Sequence, residues 1–241
     1  MFNRKEIKAR AKNAFNRNYW RCVAVTLIIS AITGGVVGGS GRGASGANDV
    51  QLNDAVNALN NSSPSEELAI LLVILGIFAV AVLIASAIGV FLLRPFHVGE
   101  ASFFTENDAA PAEIATILDG FRNGYLRNVF SLFLRDFLIG LGSIVIIPGI
   151  ILKYAYKMVP YILADDPDIS ATDALKKSRE MMKGSKWATF VLELSFIGWD
   201  ILAALTLGIL GVVYVGPYKK QALAEVYLKL SGKADKPEVI S

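Results

Sequence analysis

Six ionisable residues fall within or beside long apolar runs: Arg135, Asp136, Lys153, Lys157, Glu193 and Asp200. Three are basic and three acidic. An unpaired charge at the centre of a bilayer costs about 3 kcal/mol or more, so these groups must pair, reach an interface or line a cavity. Lys153 and Lys157 are four apart, and Glu193 and Asp200 seven apart, so each pair shares one helix face. If those two helices pack together, two lysine–carboxylate pairs can form. The functional version of that cluster is a polar cavity for a solute, an ion or a lipid headgroup. The plainer version is structural ion pairing, or lysines reaching an interface.

Two carboxylates on one face also suit acid–base chemistry. Nothing else in the chain supports it. Cys22 is the single cysteine and His97 the single histidine; catalysis by Cys22 would need a base, nothing marks His97 as that partner, and Cys22 is read as a packing residue. Zinc-ligand spacing, a serine elbow, a GxxxxGK[ST] loop and a GxGxxG fingerprint are all missing from the sequence. No catalytic, cofactor-binding or metal-ligating residue is assigned, no cofactor is implied, and an enzyme is not expected.

The elements that carry these charges are unusually apolar. The chain has 241 residues, of which 54% are hydrophobic and 19% charged, with a mean hydropathy of +0.48. Soluble domains are about 45–50% apolar and about 25% charged. The excess is gathered into runs, which argues against a soluble enzyme, a disulfide scaffold and a disordered chain. The net charge of +3 comes with basic residues flanking those runs, where they suit anionic headgroups better than nucleic acid.

The first run, Cys22–Gly39, carries no charge and has Tyr19 and Trp20 at its edge. The preceding basic region is long and helical in pattern, and no clean small-x-small site follows. The run is therefore read as a span rather than a cleaved leader. Gly34 with Gly38, and Gly35 with Gly39, stand in small-xxx-small register for close helix packing. The second run, Leu68–Leu93, has 26 residues without a charge and ends at Arg94-Pro95. A third helix is expected from about Asn128 to Pro148-Gly149, and a fourth from Ile150 to Ala164. A hairpin at Pro148-Gly149 is the favoured connection and one long bent helix the alternative. A break near Gly208 and Gly211 divides the rest into a fifth helix, about Lys186–Leu205, and a sixth, about Ile209–Leu230, which ends as an amphipathic cytosolic extension. The expected fold is all-α: a polytopic bundle of about six membrane helices (five to six) plus cytoplasmic amphipathic helices, in one integral membrane domain over 1–241.

Residues 1–21 hold seven basic side chains and one acidic, whereas loop 40–67 holds one basic and four acidic. Lysine and arginine near span ends set orientation, so the N-terminus is expected in the cytoplasm and 40–67 outside. Loops 94–127 and 165–186 and the C-terminus then lie inside, with 231–241 a flexible tail. The outer loop includes Asn61-Ser62-Ser63, a glycosylation-type triplet too short to carry weight, and a short helical pattern through Val50, Ala55, Val56 and Leu59. Three cytoplasmic segments are amphipathic: Ile7, Ala11, Ala14, Phe15 and Tyr19; then Ile114, Ile117, Leu118, Phe121 and Tyr125; then Ala174, Leu175, Ser178, Met181 and Met182. Ser170 caps the last of these, with Asp173 three residues on. Such helices collar a bundle or dock a partner.

Three blocks of this sequence resemble one bacterial family of integral membrane proteins, catalogued as domain-of-unknown-function 975. They are NRKEIKARAKNAFNRNYW, IIPGIILKYAYKMVPYILADDPDISATDALKKSREMMKGSKW and LELSFIGWDILAALTLGILGVVYVGPYKKQALAEVY. The resemblance implies a multi-helix cytoplasmic-membrane protein and supplies no catalytic residue. Asp200 departs from it, since the pattern carries an aromatic or apolar residue there. The expected role is non-enzymatic: organising, sensing or binding a partner in the bacterial envelope. A small transporter or channel with a charged intramembrane cavity is the alternative. Expected partners are membrane lipids, a protein bound through the cytoplasmic helices, and a second copy of the chain, with no nucleic acid.

Overall fold

The computed structural model describes residues 2–42 and 64–234. Most of the expected outer loop 40–67, with its Asn-Ser-Ser triplet and short helix, lies outside them, as does most of the 231–241 tail. The packing around Gly34, Gly35, Gly38 and Gly39 lies outside the described side chains.

Every regular element of the described residues is a helix, with no strand among them. The elements are α1 (Arg4–Arg17), α2 (Tyr19–Arg42), α3 (Pro64–Ile88), α4 (Arg94–Ala109), α5 (Asp119–Arg122), α6 (Tyr125–Ser143), α7 (Ile146–Ala155), α8 (Val159–Asp165), α9 (Ala171–Met181), α10 (Lys186–Leu194), α11 (Ile197–Leu205) and α12 (Gly216–Leu230). The chain forms two compact units. One joins the residues up to Ser30 with those from Arg94 on; the other is Ala31–Leu93. Two segments of the described residues are long and apolar enough to cross a membrane, Ile146–Asp165 and Lys186–Leu205, and two shorter helical stretches, Tyr19–Ala31 and Leu71–Ile84, are also apolar.

Within the second unit, α3 is apolar and exposed on every face from Leu71 to Leu83. A helix that is hydrophobic all round needs an apolar surrounding.

The first unit has a continuous side-chain core. Asn3 caps α1 by accepting from Lys5 N at 3.0 Å, and the helix buries the stripe Ile7, Ala11, Ala14 and Phe15. That stripe lies along α12. Arg10 meets Glu225, and Phe15 meets Tyr218 and Tyr214, so the two helices run antiparallel. The sixth helix was expected to end as an amphipathic extension. Its α12 portion is instead central, burying Gln221, Ala222, Ala224, Glu225, Val226, Tyr227 and Leu228. Polar side chains can be buried there because each finds a partner.

The turn between the third and fourth helices lies at Ile144-Val145, ahead of Pro148-Gly149 where it was expected. Proline has no N–H to lose in the first helical turn, so Pro148 sits there in α7. Gly149 serves packing instead: a Cβ on it would lie 2.7 Å from Ser143 Cα across the hairpin. The segment after Pro111 does not form one amphipathic helix either. It is a 3₁₀ stretch, Ile114–Leu118, then the single turn α5, then Gly124 in the left-handed conformation at φ 67° before α6.

The cap on α9 forms as the spacing requires. Ser170 Oγ accepts from Asp173 N at 3.1 Å and lies 2.6 Å from Asp173 Oδ2. Loss of such a cap costs about 1 kcal/mol. Ser170→Ala is expected to lower the melting temperature by a few degrees in thermal unfolding, with Ser170→Asp retaining most of it.

Candidate functional site

The six charged residues of the apolar segments do not form one cluster. Lys157, in the turn after α7, bonds Glu193 of α10, and Tyr154 donates its hydroxyl to the same carboxylate at 2.6 Å. Asp200 pairs with Lys219 of α12 at 3.0 Å, not with Lys153. Asp136 is held between Arg135 at 2.7 Å and Arg94 at 2.9 Å. Of the two lysine–carboxylate pairs expected between the fourth and fifth helices, one is made. The second carboxylate is taken by a lysine that the sequence reading had placed in the C-terminal extension.

These pairs leave little room between them. The cavity bounded by Leu192, Glu193, Phe196, Lys219, Ala222 and Leu223 has a volume of about 10 Å³, at or below the room one water needs. A larger opening of about 270 Å³ between Ile150, Ile151, Tyr154, Lys186, Trp187 and Phe190 has an apolar lining. Among the described residues, no three histidine, cysteine or carboxylate side chains come together as a metal site. Cys22 is fully buried, where Asn107 Nδ2 approaches its sulfur at 3.5 Å.

A different polar group lies at the centre of the first unit, and sequence reasoning did not single it out. Asn107, near the end of α4, donates to Gln221 Oε1 at 3.0 Å and to Ala14 O at 3.1 Å, and accepts from Asn18 at 2.7 Å. Gln221 donates to Phe104 O at 3.1 Å. Beside them Arg10 bridges Asp108 and Glu225, at 3.0 Å to each, and reaches Ala234 O. Asn107, Gln221 and Glu225 have no solvent exposure. Burial, with the neighbouring Asp108 carboxylate, pushes the Glu225 carboxyl up to about 8, because the one Arg10 guanidinium is shared between two acids. The signal for this network was Gln221 and Glu225 standing four apart among alanines, on a helix whose apolar positions drew attention elsewhere. Nearby, Glu100 is also buried. Burial pushes its carboxyl up, but His97 and the Lys220 ammonium more than offset this and hold it below the ordinary range.

Residues 137–234, from within α6 through α12, match the family model described as Protein of unknown function (DUF975). No curated protein and no solved structure matches the chain. The matched region holds the α6–α7 turn, the Lys157–Glu193 and Asp200–Lys219 pairs, and the Gln221 and Glu225 half of the buried network. Arg10, Asn18, Asn107 and Asp108 lie outside it.

Proposed function

We propose that this chain is a bacterial multi-pass membrane protein of that family, and that it works without catalysing a reaction, as an organising or partner-binding component of the envelope. The observation that carries this reading is the separate pairing of the three carboxylates in and beside the apolar segments, Asp136, Glu193 and Asp200. Each acidic group has its own basic partner, and the gap between Glu193 and Lys219 is too small for a hydrated solute. A transport path needs polar groups that face a shared space. The exposed face of α9 and the turn after it, with Lys176, Lys177, Arg179 and Lys183, supports a docking role on the basic side of the protein.

Purified protein in liposomes is expected to pass protons, potassium and a small dye no faster than protein-free vesicles, within about twofold. Flux well above that background, abolished by Lys157→Met or Glu193→Gln, would replace this reading with transport. A benzophenone side chain introduced at Arg179 in cells is expected to give one discrete protein adduct. Adducts with lipid alone would remove the docking role.

A further inference from the structure

The two hairpins carry the most exposed apolar side chains of the first unit. At the α6–α7 turn, Ile144 is 80% exposed, and Val145, Ile146 and Ile147 are also bare. At the turn after α11, Leu207 is 94% exposed, with Leu205 and Ile209 on either side. Sequence length alone reads the segments behind them as crossing helices. The charges contradict that reading. Lys186–Leu205 would place its middle at the bilayer midplane, yet that middle is where Glu193 binds Lys157 and where Lys8 of the basic helix α1 donates to Ser195 O at 3.4 Å. Asp200 and Lys219 close the base of the hairpin just beyond, and Trp199 and Tyr214 pack there with ring centroids 5.5 Å apart. Paired charges beside a tryptophan and a tyrosine are the composition of a membrane–water interface.

From that base, only Ile201–Leu207 leads to the tip, about 10 Å at 1.5 Å per residue. In the other hairpin Phe137–Ser143 leads from Asp136 to the turn, again about 10 Å, and Ile146–Leu152 returns uncharged to Lys153. The hydrocarbon core is about 30 Å thick. Neither tip can reach the far side.

The second tip is also built for surroundings without water. Each backbone N–H from Thr206 to Leu210 is bonded within the hairpin. Thr206 N donates to Leu202 O at 3.1 Å, Leu207 N to Ala204 O at 3.2 Å, and Gly208 N to Ala203 O at 2.8 Å. Ile209 N donates to Thr206 O at 3.1 Å and Leu210 N to Thr206 Oγ1 at 3.2 Å. Hydrocarbon demands that internal satisfaction and water does not. Leu207 holds φ 53°, ahead of Gly208 at φ 86°. A turn in water would favour asparagine or glycine at position 207.

We infer that the Ile144–Ile147 and Leu205–Ile209 hairpins each enter one leaflet of the bilayer and turn back inside it, with phospholipid acyl chains covering their bare apolar surface. At the base of the first hairpin Arg94 and Arg135 share the one Asp136 carboxylate, and with Lys153 they leave an excess of positive charge that complements anionic headgroups at the entry level. This inference rests on membrane residence, and its failure is separable from that of the proposed function because it is read by labelling and quenching rather than by flux.

The test uses the full chain in vesicles of phosphatidylethanolamine and phosphatidylglycerol, in a Cys22→Ala background, with Val145→Cys, Leu207→Cys and a control Lys12→Cys. A membrane-impermeant maleimide is applied to intact and then to permeabilised vesicles. The hairpin variants are expected to label at less than a tenth of the control in both, and to label fully in denaturant. A bimane probe at either tip is expected to be quenched several-fold more by lipids brominated deep in the acyl chain than by lipids brominated near the headgroup. Labelling from the side opposite the control would show a crossing segment, and labelling from the same side a water-facing loop. No labelling without bromolipid quenching would show a protein-covered tip. Each of these three results overturns the inference. As an independent check, Leu207→Asn is expected to leave folding intact, since it relieves the backbone, while reducing the quenching of a bimane at Val145→Cys by less than that of one placed at Ile209→Cys. An equal reduction at both sites, or none at Ile209→Cys, would mean that Leu207 does not hold its own hairpin in the leaflet and would overturn the inference for that hairpin.

Discussion

Replacing Gly99 or Gly120 by alanine is expected to destabilise the protein by about 3 kcal/mol, the upper part of the range for overpacking a tight core. For a chain of this size that is roughly 6–12 °C in melting temperature. The two glycines form a reciprocal backbone contact. A Cβ on Gly99 of α4 would lie 1.9 Å from Ile117 O, and one on Gly120 of α5 would lie 1.9 Å from Pro95 O. Both obstacles are main-chain carbonyls, which cannot rotate away as a side chain would, so the whole Ile114–Arg122 segment must move. That segment carries Ile117, which is buried, and Phe121, whose ring packs edge-on against Phe96 with centroids 4.8 Å apart, so displacement opens the core. Gly140→Ala is the control. Nothing lies within 4 Å of its added Cβ, so its melting temperature is expected to stay close to that of the parent protein. Thermal unfolding in detergent micelles reads all three. A Gly99→Ala variant that melts with the parent would mean that α4 and the 114–122 segment do not meet backbone to backbone.

Arg10→Ala is expected to cost about 3 kcal/mol at pH 8.5, the low end for removing one member of a buried ion pair, and distinctly less at pH 5.5. The reason is the raised Glu225 carboxyl. Its folded value of about 8 stands well above the ordinary carboxylate range, so folding takes up a proton. The stability this proton supplies is fully present below the ordinary glutamate value and is lost as pH rises through about 8. The parent protein should therefore melt at lower temperature at pH 8.5 than at pH 5.5. Without Arg10, the charged form loses its guanidinium while the neutral form loses only a hydrogen bond, so the variant's decline with pH is steeper. Glu225→Gln keeps an acceptor for Arg10 and Gln221 and should flatten the dependence. The double variant Arg10→Ala/Glu225→Gln should be insensitive to pH over this window. An Arg10→Ala penalty equal at both pH values would show that Glu225 does not change its protonation state between them.

Both effects arise at contacts between segments far apart in the chain, and neither was visible along it. Nothing along the chain singles out Gly99 or Gly120, whereas Gly34 and Gly38, in register within an apolar run, drew the packing argument. Nothing local marks Asn107, and Gln221 and Glu225 fall on the polar positions of the amphipathic extension expected at the end of the sixth helix. A polar residue is buried only when a partner waits for it, and a single sequence does not say which distant side chain that is. The same logic reassigned Asp200. The facing-lysine argument used spacing within helices and offered Lys153 and Lys157 equally, but the antiparallel return of α12 brought Lys219 to Asp200 and left Glu193 to Lys157 and Tyr154.

What the sequence by itself determined was local or additive. The all-helical character, the apolar segments, the buried stripe of α1, the Ser170 cap and the break near Gly208 follow from composition, from 3.6-residue periodicity and from turn chemistry, which act within a few residues. The tertiary structure decided which charge meets which and which glycine touches a backbone. It also decided that the turn lies ahead of Pro148, and that the apolar segments fold back at bare tips about 10 Å beyond their last charges. Those outcomes depend on helices meeting across distances in sequence that no local pattern encodes, and the ion pairs that set the hairpin depth exist only once the chain has returned on itself.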